Sequence, residues 1–360
     1  MQPISSEMPT AVTHPTNRPH LAMSLLLLAL LGAFLLSLFI GSVRIPLDEI
    51  LGILLGATPE RETWATIVLK FRLPKAVTAV LAGSALSVSG LQMQTMFRNP
   101  LAEPFVLGIN SGASLGVALV VLAVGTTGGT LLAGLGFLSD FGIVVAASLG
   151  AGLVLLLVLG VARRVETMTL LILGLMFGYA TSALVSVLLY FSIAERIQAY
   201  IAWTFGSFGG VTWSQMQVMA PTVLLGLAIA WLSAKPLNAL LLGETYAQSL
   251  GLSVRRARLA VLVSASLMAG AITAFCGPIG FVGIAVPHLC RSLFGTSNHR
   301  QLVPATILMG GIVALLADLL AQLPGSQITL PLNAVTALFG APVVTWVILR
   351  QRNLRSSFAG

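Results

Sequence analysis

The chain is 360 residues long, 57% hydrophobic and only 8% charged, with a mean hydropathy of +0.97 and a formal net charge of +8. A soluble domain carries about 25% charged residues, and even a large one leaves much of its surface in water, so this composition excludes a water-facing exterior and defines an all-α, polytopic membrane protein. The basic excess reads as Lys and Arg retained on cytoplasmic loops; no loop joins a long basic run to aromatic residues, which excludes nucleic-acid binding.

Residues 1–20 are polar, with His14, Pro15, Pro19 and His20 and no apolar periodicity, and are expected to form a disordered cytoplasmic tail. The apolar run 21–41 exceeds the roughly 7–15 residues of a signal-peptide core and is expected to stay as the first helix. Crossing a bilayer takes about 20 mostly apolar residues. Runs 21–41, 75–97, 106–125, 141–162, 168–193, 214–234, 257–276, 279–295, 302–323 and 330–349 qualify, giving about ten spans in a single transmembrane domain over 21–350, followed by a cytoplasmic tail at 351–360. With the N-terminal tail inside, thirteen of the nineteen Lys and Arg fall on cytoplasmic segments, against Arg44, Arg61, Lys70, Arg72, Lys75 and Arg196 outside. The asymmetry places both termini in the cytoplasm.

Three segments between spans carry information. Residues 44–56 are amphipathic and too short to span, so they are expected at the outer interface. Residues 98–104 (RNPLAEP) break helix geometry twice with proline, as either a plain connector or a polar gate at the cytoplasmic mouth of a pathway. Residues 237–256 form the longest cytoplasmic loop, with apolar residues at helical spacing and breaks at Gly243 and Gly251. A solvated loop has no need of Leu240, Leu241, Leu242 and Leu250, which points to a short helix presented to a protein partner.

Side chains with chemical potential are few. Gly108, Gly112 and Gly116, like Gly277, Gly280 and Gly283, are spaced for close helix packing. Asp318 is the one acid inside a spanning run; an ionised Asp at the bilayer centre costs about 2.5–3.5 kcal/mol, so it must be near the outer end, paired or wet. His288 reads as a structural hydrogen-bonding group, and Cys276 and Cys290 as apolar packing residues without metal spacing. HExxH, GxSxG and clustered carboxylates are missing, and Lys70, Lys75 and Lys235 all lie outside a G-x-x-x-x-G-K-[ST] context. The chain therefore reads as a non-enzyme with no cofactor of its own; if transport uses ATP, another chain hydrolyses it.

Residues 72–116, with GSFGGVTW (206–213), LLGETYAQSLGL (241–252), GPIGFVGIAVPHLCR (277–291) and PLNAVTALFGAP (331–342), resemble in order and spacing the permease subunits of iron-siderophore, heme and vitamin B12 ABC importers of the type II class. The resemblance implies ten helices per subunit, pairing with a second permease subunit (here expected as a homodimer), two cytoplasmic ATPase subunits that hold ATP and Mg, and a periplasmic or lipid-anchored binding protein at a bacterial inner membrane. It implies an ATPase-coupling loop carrying Leu242, Gly243, Glu244, Ala247, Leu250 and Gly251. It further implies binding-protein docking at Arg72 supported by Lys75 and Lys70, and a cytoplasmic gate at Asn99, Leu101, Thr167 and Met168. The chain departs from the family's pattern at Gln322 and Thr329, where an arginine and a glutamate are common, which leaves the second docking point open. The expected cargo is an iron chelate, siderophore or heme; the alternatives are vitamin B12 transport within the same family and an ion-coupled secondary carrier using Asp318. A membrane-embedded enzyme is the third reading, disfavoured by the scarcity of buried acids and nucleophiles.

Overall fold

The computed structural model describes residues 18–123, 140–162, 164–165, 167–322 and 329–356. Residues 1–17 and 357–360 of the two expected tails lie outside the described residues. In chain order the helices are α1 (Arg18–Phe39), α2 (Leu47–Leu54), α3 (Glu62–Thr66), a π-helical turn (Ile67–Arg72), α4 (Leu73–Met96), a 3-10 turn (Pro104–Leu107), α5 (Ile109–Ala123), α6 (Asp140–Ala162), α7 (Thr167–Tyr190), α8 (Ala194–Thr204), α9 (Trp213–Leu232), α10 (Ala234–Leu241), α11 (Glu244–Ser249), α12 (Val254–Cys276), α13 (Val282–Phe294), α14 (His299–Ala321) and α15 (Leu332–Ser356). Among the described residues seven helical stretches are long and apolar enough to cross a membrane, and shorter apolar helices at Ile109–Leu122, Val282–Phe294 and Leu332–Thr345 match the remaining expected spans. Two short helices, α3 and α8, were not anticipated. Both carry acids in their first turn (Glu62 and Glu195), which keeps them from reading as spans.

The bundle is organised around α4, which packs against α12, α13 and α14. Seven of the fifteen residues from Ala82 to Met96 are Ala, Gly or Ser, and all fifteen are buried. Small side chains allow contact that lipid alone would not drive, because apolar burial gives no advantage between helices already in hydrocarbon. A Cβ at Gly83 would overlap the Gly310 carbonyl of α14, and one at Gly90 would overlap the Gly283 carbonyl of α13. Hydroxyls and amides supply the cross-helix hydrogen bonds: Ser84 Oγ donates to Ile307 O (2.9 Å), Ser89 Oγ to Ala265 O (3.1 Å) and Gln94 Nε2 to Ile284 O (3.3 Å). The glycine ladder of α5 is packing of the same kind: Gly112 meets Gly150 and Gly116 meets Ala146, both on α6. Leu149, Leu153 and Leu156 on the far face of α6 are more than 60% exposed, as a lipid-facing stripe requires.

The chain between α4 and α5 re-enters the bundle. After α4 ends, Arg98 takes a left-handed φ of 48°, and Pro104 then lies beside Gly283, which itself faces Leu86 and Gly90 in the middle of α4. The Glu103 carboxylate accepts a hydrogen bond from the Phe281 N–H at the start of α13. Irregular backbone at such depth is tolerated only where protein surrounds it, and Ala102, Pro104 and Leu107 are buried. α13 has only 13 residues, about 20 Å at 1.5 Å per residue, against a hydrocarbon core of about 30 Å. The re-entrant turn and the Gly277–Phe281 connection occupy the depth that α13 leaves empty.

Candidate functional site

At the end of the bundle expected to face the cytoplasm, residues 237–256 resolve into the end of α10, the whole of α11 and the first turn of α12, with the break where Gly243 adopts a φ of 120°. A side chain there would be strained, and its Cβ would approach the Arg98 guanidinium at 2.9 Å. Leu237 and Leu240 are buried beneath α10 and Ala247 beneath α11, whereas Leu242, Tyr246 and Leu250 are exposed, at 65%, 52% and 61%. Glu244 is partly exposed and Gly251 exposed. The segment thus rests on a seated apolar underside and offers an uncovered apolar outer face, as anticipated.

Its seating is polar as well. Asn238 Nδ2 donates to Asn298 Oδ1 (2.9 Å), and Asn238 Oδ1 accepts from the His299 N–H (2.8 Å). The His299 ring bridges on to Thr95 Oγ1 at 2.8 Å, so α10 is fixed to the start of α14 and the end of α4. Two arginines outside this segment link it to the stretches expected to form the gate. Arg98, adjoining Asn99 and Leu101, donates through Nη2 to Leu240 O (3.2 Å). Arg258 of α12 contacts both Glu244 carboxylate oxygens through Nη2 (3.0 and 3.3 Å) and donates through Nη1 to Val165 O (3.2 Å), two residues before α7 begins. Thr167 and Met168 form the first residues of α7; their side chains lie outside the described residues. Asn99 Oδ1 accepts from the Leu101 N–H (3.0 Å), closing a local turn, and Leu101 is 42% exposed. His288 Nε2 lies 2.8 Å from Pro100 O, pinning that turn to α13, which is the structural role expected of it.

The structure therefore brings Glu244, Gly243, Asn99, Leu101 and the start of α7 into one neighbourhood. Arg98 and Arg258 were not singled out from sequence, where they count only toward topology. Gln94, whose Oε1 accepts from Arg291 Nη1 (2.6 Å), was missed in the same way.

At the end of the bundle expected to face outward, two of the three cations expected to dock a binding protein make contacts within the chain. Arg72 is 9% exposed. Its Nη1 donates to Leu38 O (2.6 Å) and Phe39 O (3.1 Å), and its Nη2 to Val43 O. These include carbonyls that the end of α1 leaves without intrahelical partners. A Cβ at Gly41 would stand 2.6 Å from Arg72 Nη2, so the guanidinium would have to shift to admit a side chain there. Lys75 Nζ pairs with Asp318 Oδ1 at 2.9 Å, and Gln322 Nε2 donates to Asp318 Oδ2 (2.8 Å). Asp318 is thus paired near the outer end of α14, as its insertion cost demanded, and Gln322 supplies a neutral donor where the family commonly has an arginine. Lys70, in the π-helical turn, is exposed. Trp213 Nε1 holds that turn by donating to Leu69 O (2.9 Å). Among the described residues no three His, Cys, Asp or Glu side chains gather as a metal site.

Comparison with known proteins gives a consistent result. Residues 27–350 match the model of the FecCD transport family. The vitamin B12 import system permease protein BtuC of Klebsiella pneumoniae is 38% identical over 330 residues, covering 91% of this chain and 93% of the relative. The protein of the same name from Citrobacter koseri is 39% identical over 286 residues, covering 79% and 83%. A solved inward-facing structure of a metal-chelate type ABC transporter superposes with a TM-score of 0.78 at 29% identity, covering 92% of this chain and 99% of that one. Ten apolar helices among the described residues around a small-residue core, a seated segment between α10 and α12 with an open apolar face, and these matches agree: the chain belongs to the FecCD transport family, as the permease of an ABC importer.

Proposed function

We propose that this permease carries a metal chelate inward across a bacterial inner membrane, with both termini in the cytoplasm, and that ATP hydrolysis in two partner subunits drives it. The observation that carries the reading is the pair of arginine links from the α10–α11 segment to the two gate stretches. An ATPase seated on Leu242, Tyr246 and Leu250 would displace α11, and Arg258 and Arg98 would transmit that displacement to the start of α7 and to the Asn99–Leu101 turn. A binding protein would deliver the chelate at the outer face, and a second permease copy would complete the pathway. The favoured cargo is an iron chelate, siderophore or heme; the names of the relatives favour cobalamin as the second reading.

Reconstitution in proteoliposomes with an ATPase and a binding protein tests this. ATP-dependent accumulation of one labelled chelate among ferric siderophore, heme and cobalamin is expected, with no hydrolysis by the permease alone. Uptake driven by a proton or sodium gradient without the ATPase would replace the proposal by the Asp318-dependent carrier.

At the outer face Lys70 is the one expected docking cation left exposed. Lys70→Glu is expected to slow binding-protein association about tenfold at low salt and to flatten its salt dependence, because rim charges act mainly on encounter. Arg72→Lys should change the thermal midpoint of the permease more than that association rate. Stopped-flow association over a salt series measures the first and thermal unfolding in detergent the second; unchanged association in Lys70→Glu moves docking elsewhere on the rim.

A further inference from the structure

α6 and α9 both pack on α12, and α12 floors two clefts beside them, with Leu259 partly exposed and Leu262, Ser266 and Gly270 buried at their base. At the end of α12 expected to face the cytoplasm, a cleft of about 270 Å³ is lined by Ala162, Arg255, Arg256, Arg258, Leu259 and Leu262. Further along, a second cleft of about 260 Å³ is lined from α12 by Ser266, Leu267 and Gly270, from α6 by Gly152 and Leu155, and from α9 by Thr222. Leu259, Leu262, Ser266 and Gly270 recur at helical spacing, so the two clefts lie along one stripe. Cations stand at one end only. Arg258 is already engaged with Glu244 and Val165, whereas Arg255 and Arg256 are exposed and have no ion-pair partner among the described residues. The Ser266 hydroxyl, in a residue 2% exposed, has no hydrogen-bond partner among the described residues.

We propose that this groove seats one anionic phospholipid of the cytoplasmic leaflet, its phosphate on Arg255 and Arg256 and an acyl chain running past Leu259 toward Leu267 and Gly152. The dimensions agree. One leaflet of hydrocarbon is about 15 Å deep, half of a core of about 30 Å, or about ten residues of helix; the α12 residues lining the second cleft run from Ser266 to Phe275, within and just beyond that reach from Leu259. A basic pocket between helices on the cytoplasmic side is the chemistry that selects anionic headgroups, and an apolar track continuing from it selects a lipid over a free anion. Because Arg258 borders the same cleft and also holds Glu244, an occupied groove would brace the α11 contact. That last step rests on the coupling role proposed above; the lipid site does not.

Native mass spectrometry of the full-length chain in detergent, titrated with phosphatidylglycerol or with phosphatidylcholine of identical chains, tests the site. Phosphatidylglycerol is expected to be retained and phosphatidylcholine washed off, with millimolar inorganic phosphate failing to compete. Arg255→Gln/Arg256→Gln is expected to weaken phosphatidylglycerol retention about 30-fold, two charges at about 1 kcal/mol each and 1.4 kcal/mol per decade. Gly152→Leu keeps both arginines and fills the groove where a Cβ meets nothing within 4 Å; it should remove retention with the fold intact. Equal retention of the two lipids, displacement by phosphate alone, or unchanged retention in the double variant would each overturn the proposal. The last outcome would reassign the arginines to a protein contact.

Discussion

Arg258→Glu is expected to lower ATP-driven uptake by about tenfold or more while leaving the permease folded. The fold should survive because the Arg258–Glu244 pair is part-exposed, with side-chain exposures of 15% and 45%, and such pairs contribute at most about 1 kcal/mol. Transport should suffer because the substitution removes two links together. An acid beside Glu244 repels the start of α11, and a carboxylate cannot donate to Val165 O, so the turn before α7 is freed from the coupling segment. Tenfold corresponds to about 1.4 kcal/mol, the lower end of what charge-assisted hydrogen bonds contribute.

The measurement is uptake per ATP hydrolysed, because it separates transmission from assembly. If hydrolysis persists while uptake falls, the ATPase still binds and the mechanical link has failed. If both fall together, α11 has lost its partner surface. Glu244→Arg alone should resemble Arg258→Glu, and the double exchange should recover only part of the activity, since it restores the ion pair without the donor to Val165. Arg258→Lys should keep most of the pairing and lose the second link, because one ammonium replaces a planar fork. Full uptake per ATP in Arg258→Glu would detach this arginine from coupling.

How much of this was legible in the sequence follows the range of each interaction. The spans, the short amphipathic α2 (Leu47–Leu54) with Ile50 and Ile53 buried, and the two breaks at Gly243 and Gly251 were readable, because hydropathy and glycine backbone freedom are local properties. The re-entrant turn showed only as two prolines in RNPLAEP; that Glu103 meets Phe281, 178 positions away, has no local signature. Arg72 illustrates the same limit. A basic residue near a helix end reads identically whether it snorkels outward to a partner or turns back to cap carbonyls 34 positions upstream, and only the packing of α1 beside the π-helical turn decides. Family resemblance could point to a coupling loop because that loop is one contiguous motif. It could not show the Lys75–Asp318 pair, whose members are separated by most of the chain.

That pair gives the second large effect. Asp318→Ala is expected to destabilise the permease by about 3–5 kcal/mol, the cost of leaving one member of a buried pair without its partner. Asp318 is 6% and Lys75 24% exposed at the side chain, and Gln322 has nothing else to offer the Lys75 ammonium than its carbonyl oxygen. The cost should belong to the orphaned charge and not to loss of attraction, so removing both charges should reverse it. Lys75→Met/Asp318→Leu is expected to unfold in detergent near the wild-type midpoint, since apolar replacements of buried pairs are often neutral or stabilising. The double variant then separates two roles that the single variant confounds. A carboxylate that couples transport to an ion is needed whatever its effect on stability, whereas a structural carboxylate becomes dispensable once its partner is gone. ATP-driven uptake preserved in a stable Lys75→Met/Asp318→Leu permease would leave the ion-coupled reading without its only intramembrane acid within a predicted span; uptake lost in that variant, with the thermal midpoint intact, would give Asp318 a part in transport that the ion pair alone does not explain.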